Sequence, residues 1–276
     1  MTYQDWIGRS ETARDVLDEG TAARLLGALC SRELDPAAGA LLLGHWLCFR
    51  PAMMRGDTGA DGHPAKGGFL PPVPLPRRMW AGSRVTWERA IPLGAALERR
   101  STIEAVSAKS GRSGELVFVT VRHEVADARG PILTEHQDIV YREAVGSGAA
   151  AQAAPSEPAS AMPWSRPFQP DPVLLFRYSA LTGNAHRIHY DLAYAQGEEG
   201  YPALVVHGPL TATLLLDHLV SHAGRPRSFA FRGIGPLFDT DAMTLEAGPP
   251  GSDGTARMQA RRGDGVVRMT ATAHFD

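Results

Sequence analysis

The apolar positions of the first 144 residues follow helical spacing first and strand-like spacing afterwards. Residues 15–34 carry them at helical spacing, interrupted at most at Gly20, and predict an amphipathic helix. Asp35-Pro36 predicts the start of a more apolar, buried helix over residues 37–47. Four strand-like runs then follow, separated by Gly or Pro: Met79–Ala90, Leu97–Ser107, Leu116–Val125 and Ile132–Arg142.

The second half of the chain repeats this order of elements without a clear sequence repeat. Short helical turns lead to a buried helix over residues 209–220, and strand-like runs follow at Ser228–Arg232, Ala242–Ala247, Thr255–Arg261 and Val266–Phe275. Between the halves, residues 145–170 are rich in Ala, Ser and Pro and predict an exposed linker. We therefore expect an α+β protein with an N-terminal domain (1–144), a linker (145–170) and a C-terminal domain (171–276).

Residues 55–76 form a long segment rich in Gly and Pro. Such a composition predicts a flexible loop, or one that folds over a ligand. The glycines between Gly59 and Gly68 lack the Gly-Lys-Ser/Thr ending of a phosphate-binding loop, so a nucleotide site is not predicted here.

Composition narrows the classes of function. The chain has 276 residues, 43% of them apolar, and a formal charge of −2, which predicts a globular protein without the basic surface that nucleic acid requires. Two cysteines are too few for a disulfide framework or a cysteine zinc site. The polar, acidic N-terminal stretch and the lack of a long apolar run predict a cytoplasmic protein that neither binds nor crosses a membrane.

The stretch from Phe176 to Gly208 concentrates the residues that can carry chemistry. His189 is the first candidate, because imidazole titrates near neutral pH and can move a proton. Gly208 precedes Pro209 at the predicted start of the buried helix, where free amides and the positive end of the helix dipole can hold an oxyanion.

This stretch resembles the signature of the MaoC-like hydratases and dehydratases. Their pattern has Tyr/Phe-x-x-x-Thr/Ser-Gly, then an acidic residue, a histidine five positions later, and a His-Gly pair at the central helix. Three separate segments, residues 75–82, 134–142 and 176–191, resemble a narrower group, the mesaconyl-C4-CoA and itaconyl-CoA hydratases and the mitochondrial 3-hydroxyacyl-thioester dehydratases. The residues on the general pattern are Tyr178, Thr182, Gly183, His189, His207 and Gly208.

The resemblance implies a double hotdog, with two antiparallel sheets that are each wrapped around a central helix. It also implies a hydro-lyase that reversibly hydrates a branched C5 dicarboxylyl-CoA, mesaconyl-C4-CoA or itaconyl-CoA, to citramalyl-CoA. No metal or other cofactor is expected, since CoA is part of the substrate, and a homodimer is expected by analogy. Two alternatives stay open: a (3R)-hydroxyacyl-thioester dehydratase for aliphatic acyl chains, and a non-catalytic acyl-thioester binding protein.

One departure from the general pattern affects the expected mechanism. Asn184 stands where the pattern has a carboxylate, and an amide cannot donate and recover a proton. The catalytic set implied by the resemblance is therefore His189 and Gly208, with Asn184 positioning water or substrate. As an alternative, Asn184 is only a turn residue.

Three further residues are candidates for substrate binding, namely His186, Arg187 and Tyr178. Arg187 offers a planar fork that fits a substrate carboxylate, although it could instead face solvent. For His186 and Tyr178 the alternative of a structural role is favoured, and His207 is also expected to be structural. A zinc site of His186, His189 and His207 is disfavoured, because their spacing matches no standard motif.

Overall fold

The structure is a computed structural model and describes residues 3–29, 38–50, 52, 54, 56–111, 114–143 and 161–276. Its α-helices are α1 (Glu19–Ala28), α2 (Pro172–Thr182), α3 (Leu192–Gly197) and α4 (Gly208–Ala223), with 3-10 segments at Tyr3–Trp6, Gly39–Leu47 and Arg187–His189. The strands are β1 (Ser10–Val16), β2 (Arg77–Trp87), β3 (Ala96–Gly111), β4 (Gly114–Asp127), β5 (Gly130–Arg142), β6 (Trp164–Phe168), β7 (Ser228–Gly233), β8 (Met243–Ala247), β9 (Thr255–Arg262) and β10 (Val267–His274).

The strands of the described residues form one antiparallel sheet in the order β1-β3-β4-β5-β2-β7-β10-β9-β8-β6. When the strands of each half are numbered 1 to 5 in chain order, both halves have the same order from the edge of the sheet inwards, 1-3-4-5-2. The second strands of the two halves, β2 and β7, pair with each other. The halves are thus related by an approximate two-fold axis. The duplication inferred from element order is confirmed, but the two predicted sheets are joined edge to edge into one.

The helix predicted over residues 15–34 was wrong at its start. Ser10–Val16 form β1, which pairs with β3, and α1 begins only after Asp18, whose side chain caps the amide of Thr21. Gly20 lies in the first turn of α1 without interrupting it. The strand was missed because its polar composition gives it no apolar face; it lies at the edge of the sheet and is mostly exposed.

The two halves differ most in the helix that packs on the sheet. α4 is a sixteen-residue helix, buried from Pro209 to Leu216, and corresponds to the predicted central helix. Its counterpart in the first half is not the predicted α-helix but the shorter 3-10 segment Gly39–Leu47, kinked at Leu43. This segment crosses α4 closely, since a Cβ on Gly39 would lie 2.7 Å from the Cα of Asp217.

Some predictions fall outside the described residues. These include the Asp35-Pro36 helix start, Cys30 and residues 145–160 of the predicted linker. Within the linker range, residues 164–168 form β6, an edge strand that pairs with β8. None of the helices among the described residues is long and apolar enough to cross a membrane.

Candidate active site

The motif begins where α2 ends. Asp171 caps the start of α2, and Gly183 ends it in the left-handed conformation with φ +65°. The amide of Asn184 then donates to the carbonyl of Ser179 over 2.9 Å, and the chain turns away from the helix axis. Glycine is required at this position because side chains disfavour positive φ.

Asn184 is held in a turn. Its Oδ1 accepts a hydrogen bond from the amide of His186 over 3.0 Å, so the oxygen is committed to the backbone. The residue also lines the cavity described below. The structure therefore combines the turn role with a position from which the amide can face a ligand.

His189 lies on the 3-10 segment Arg187–His189 and is 7% exposed. Its Nδ1 lies 2.7 Å from the carbonyl oxygen of Val205, which can only accept, so Nδ1 carries the proton. Nε2 has no hydrogen-bond partner among the described residues. Burial lowers the pKa of His189 to about 4, despite the hydrogen bond to Val205. At neutral pH the ring is thus a neutral imidazole whose Nε2 can act as a base.

His207 and Tyr178 pack behind this ring. The imidazole of His207 stacks on His189 with centroids 3.6 Å apart and planes 18° apart. Its Nε2 lies 2.8 Å from the hydroxyl of Ser179, while Tyr178 contacts its ring edge at 5.0 Å. His207 and Tyr178 are 0% and 2% exposed, so both help build the wall of the site.

Gly208 follows His207 and is the first residue of α4. Stacking of His189 on His207 therefore brings the candidate base next to the helix start. A Cβ on Gly208 would meet its nearest neighbours, Met269 and the Trp80 carbonyl, only at 3.9 and 4.0 Å. Packing alone does not require glycine, which leaves close approach of a ligand as its explanation.

A cavity of about 330 Å³ opens beside the motif. Neither His189 nor Gly208 is in its lining, but Gly183 and Asn184 of the same motif and Pro209, the residue after Gly208, are. The other residues of the C-terminal half that line the cavity are Tyr178, Thr182 and Ala185. The first half contributes His45, Trp46, Cys48, Phe49, Arg50, Gly62, His63, Pro64, Trp80, Arg99, His123, Glu135 and Gln137.

The first half adds a buried polar cluster around Glu135, which sequence reasoning missed. Its carboxylate is 2.9 Å from His45 Nε2 and accepts from Ser83 Oγ over 2.6 Å and from Trp46 Nε1 over 3.1 Å. Burial opposes ionisation, but the hydrogen bonds from His45 and Ser83 outweigh it and hold the pKa of Glu135 at about 2. The sequence signal that includes Glu135 is the segment 134–142. This segment carries part of the family resemblance, but no role was predicted for its residues.

Residues 56–76, predicted as a flexible loop, pack on the motif. The Asp61 carbonyl accepts from the amide of Arg187 over 2.9 Å, and the Ala60 carbonyl accepts from Arg187 Nη1 over 3.1 Å. Gly62, with φ +87°, lies so close to Ala185 that a Cβ would overlap the Ala185 carbonyl oxygen. The loop tip is therefore part of the candidate site.

Replacing Gly62 with alanine is expected to release this loop. The overlap with Ala185, together with backbone strain of about 1–3 kcal/mol at positive φ, should favour an open loop. Trypsin cleavage after Lys66 should then accelerate at least tenfold, roughly the fold-change of that strain. Gly94→Ala is the control, since φ is +74° there but a Cβ meets nothing within 4 Å. Equal cleavage rates for the two variants would contradict the docking role.

Arg187 does not present a free fork. Its Nε and Nη2 donate to Asp191 over 3.0 and 2.8 Å, and its third nitrogen holds the loop. The guanidinium group also lies over the ring of Tyr194 at 4.2 Å. The binding of a substrate carboxylate by Arg187 is therefore disfavoured, and its place indicates that it anchors the loop.

His186 lies between the loop and the base. Its ring is 4.1 Å from that of His63 and 5.5 Å from that of His189, and it is 8% exposed. Burial, reinforced by His63 and His189, lowers the pKa of His186 to about 2. Its position indicates a packing role between two other imidazoles.

The three-histidine zinc site is not assembled, because His189 Nδ1 and His207 Nε2 are engaged elsewhere and the two rings are stacked. Among the described residues, one different group, Asp61, His63 and His186, has ligand atoms within 4.8 Å of one another. In that group His63 Nδ1 is already 3.0 Å from Asp61 Oδ2.

Comparison with known families places this site in context. The model of a family described as hydroxyacyl-thioester dehydratase type 2 matches residues 43–239, from the 3-10 segment through the motif to the connection between β7 and β8. The chain belongs to this family. It is an acyl-thioester hydratase/dehydratase, as the resemblance implied.

One curated relative and two solved structures match along nearly the whole chain. The mesaconyl-C(4)-CoA hydratase of Chloroflexus aurantiacus is 43% identical and aligns with 99% of this chain and 98% of its own. A MaoC-like dehydratase of Phytophthora capsici has a TM-score of 0.71 at 15% identity, covering 99% of this chain and 97% of that one.

A Mycobacterium tuberculosis protein described as a double hotdog has a TM-score of 0.58 at 14% identity, covering 97% and 96% of the two chains. At these identities the solved structures show the fold alone. Together with the strand order, they confirm the α+β double hotdog.

Proposed function

We propose that this protein reversibly hydrates a branched C5 dicarboxylyl-CoA, mesaconyl-C4-CoA or itaconyl-CoA, to citramalyl-CoA. The relative at 43% identity carries the name of such a hydratase. The observation that carries the proposal is the guanidinium group of Arg99, which lies in the wall of the cavity and has no hydrogen-bond or ion-pair partner among the described residues.

Arg99 is the cation that fits a substrate carboxylate. Its Nε is buried without a hydrogen-bond partner, and its guanidinium group makes no ion pair or hydrogen bond with any described residue. Glu135, the acid in the same wall, is already held by His45, Ser83 and Trp46. The Nε of Arg99 is a buried donor without a partner among the described residues, and a bidentate carboxylate would satisfy it.

Phe49 supports this assignment. Its ring lies under Arg99 at 4.9 Å, and it has φ +60°, the only positive φ of a non-glycine residue in the described part of the chain. The amide of Phe49 donates to Asp15 over 2.6 Å and holds this conformation. Strained backbone of this kind concentrates at ligand sites, and here it places the ring that orients Arg99.

In hydration of mesaconyl-C4-CoA, whose double bond is conjugated to the thioester, the Gly208 amide receives the thioester oxygen and withdraws charge from that double bond. The neutral Nε2 of His189 takes a proton from water as the water oxygen bonds to Cβ. The π electrons pass towards the thioester oxygen, and Cα then accepts a proton. One water is added, and dehydration is the reverse.

The test compares mesaconyl-C4-CoA with crotonyl-CoA, which lacks the carboxylate. We expect the protein to prefer the former by about 100-fold in kcat/KM, the fold-change of a charge-assisted bidentate contact. Arg99→Met should remove most of this preference while crotonyl-CoA hydration stays unchanged. Arg100→Met is the control, because its exposed side chain points to the other face of β3.

Two other outcomes would favour the alternatives. Faster hydration of crotonyl-CoA, indifferent to Arg99, would indicate a (3R)-hydroxyacyl-thioester dehydratase for aliphatic chains. Binding without turnover would indicate a non-catalytic acyl-thioester binding protein. A homodimer, a cytoplasmic location and independence from cofactors stay predictions.

A further inference from the structure

The site contains one base but lacks the carboxylate that the general pattern supplies at position 184. Addition of water to a double bond needs a base for the water and an acid for Cα. Asn184 can be neither, and its oxygen is committed to the His186 amide. A second group that transfers protons must therefore come from another segment that reaches the cavity.

We propose that His63, oriented by Asp61, is this second proton-transfer residue. His63 lines the cavity together with Asn184 and Ala185. Its Nδ1 lies 3.0 Å from Asp61 Oδ2, and Asp61 Oδ1 also accepts from the His63 amide over 3.0 Å. The inference rests on the proposed hydration, and it assigns His63 a catalytic role and Asp61 a positioning role.

The Asp61–His63 pair has the chemistry of an acid. Burial disfavours the Asp61 carboxylate, but the hydrogen bonds from His63 outweigh it and hold the pKa of Asp61 below its ordinary range. An ionised Asp61 accepts a hydrogen bond from His63 Nδ1–H, fixes the orientation of the ring and balances the positive charge that the ring carries when it acts as the acid. The other nitrogen, Nε2, has no hydrogen-bond partner among the described residues and carries the proton to be donated.

The surrounding contacts fix this pair against the motif. Arg187 holds the carbonyls of Ala60 and Asp61, and the His186 ring packs on His63 at 4.1 Å. Arg78 Nη2 donates to the carbonyl of Pro64 over 3.1 Å on the far side of the tip. The His186-Arg187 dipeptide of the motif thus holds the loop that carries His63.

The proton balance closes over one turnover. In hydration, His189 Nε2 accepts the proton from water as the Cβ–O bond forms, and His63 Nε2 donates its proton to Cα as the π bond breaks. His189 then carries one proton more and His63 one fewer, and transfer through solvent restores both. His63 is 22% exposed in its side chain, so solvent reaches it.

Chemical rescue tests the catalytic role. His63→Ala should lower kcat by about 100-fold on whichever enoyl-CoA the wild type hydrates, mesaconyl-C4-CoA or crotonyl-CoA. Added imidazole or 4-methylimidazole should restore part of the rate in proportion to its concentration, which a purely structural role would not allow. Wild-type kcat in His63→Ala, or a loss without rescue in a folded variant, would overturn the proposal.

Asp61→Asn tests the positioning role. We expect kcat to fall about tenfold with KM unchanged, because substrate binding does not use this residue. Asp57→Asn is the matched loop control, since among the described residues its exposed carboxylate accepts a hydrogen bond only from the local Met54 amide. If His63→Ala does not fold, His63→Gln carries the test, and wild-type kcat in it would overturn the inference.

The substrate pattern separates this inference from the proposed function. Hydration of crotonyl-CoA alone, lost in His63→Ala and rescued by imidazole, would reject the dicarboxylate and keep His63. A mesaconyl-C4-CoA preference with normal kcat in His63→Ala would keep the function and reject His63. A folded wild type inactive on both would reject both.

Discussion

Replacing His189 with glutamine is expected to lower kcat for hydration by about 10³, with KM nearly unchanged, because general acid–base catalysis contributes about 10²–10⁴. Glutamine has a similar length and can keep the hydrogen bond to the Val205 carbonyl, but it has no nitrogen lone pair for the proton of water. Steady-state kinetics on mesaconyl-C4-CoA and crotonyl-CoA provide the measurement.

His274→Gln is the control for this substitution, since His274 is exposed at the end of β10. It should leave kcat and the unfolding midpoint unchanged. If His189→Gln kept kcat within threefold of the wild type while remaining folded, the base would have to be another residue.

The second large effect is loss of stability in mild acid. Burial lowers the pKa of His186 to about 2, that of His189 to about 4 and that of His207 well below its ordinary value. The unfolded chain, with histidine pKa values near 6.5, binds more protons than the folded chain below that pH. The stability that depends on these three neutral histidines is therefore fully present above about pH 6.5. Below that pH the free energy of unfolding decreases as the pH falls towards 4.

For each pH unit below about 6.5, each of these imidazoles should reduce the free energy of unfolding by about 1.4 kcal/mol. The three together should reduce it by about 4 kcal/mol per pH unit. Buried His123 and His218 act in the same direction. Urea unfolding at pH 7.5, 6.5, 5.5 and 5.0 measures the slope, and His186→Asn should reduce it. A free energy that stays constant down to pH 5 would show that these rings accept protons in the folded state.

The regular elements could be predicted from sequence because each has a local signal. β4 alternates buried and partly exposed positions along its length, and α4 begins at Gly208-Pro209 with a continuous apolar run. β6 and β1 lack such a signal: β6 is five residues long at the end of a Pro-rich stretch, and β1 is a polar edge strand. Their pairing is decided by the sheet, not by their own residues.

The sequence predicts only those residues of the candidate site that lie within one motif. His189 and Gly208 lie in the signature stretch, and the structure places them at neighbouring positions. Arg99, Glu135 and His63 come from two strands and a loop of the other half, and no spacing along the chain relates them to the motif. These residues come close to the motif only because β2 pairs with β7 and joins the two halves, which is a property of the tertiary fold.

The approximate two-fold axis has a consequence for stoichiometry. Exact symmetry would generate two equivalent reaction centres, one from each half, but this chain carries the motif once and devotes the other half to the wall around the acyl group. Titration with a tight, unreactive acyl-CoA analogue should accordingly saturate at one equivalent per polypeptide. The duplicated fold therefore has a single, asymmetric reaction centre. Because one half carries the motif and the other forms the wall, substitutions can change acyl selectivity and bond chemistry independently.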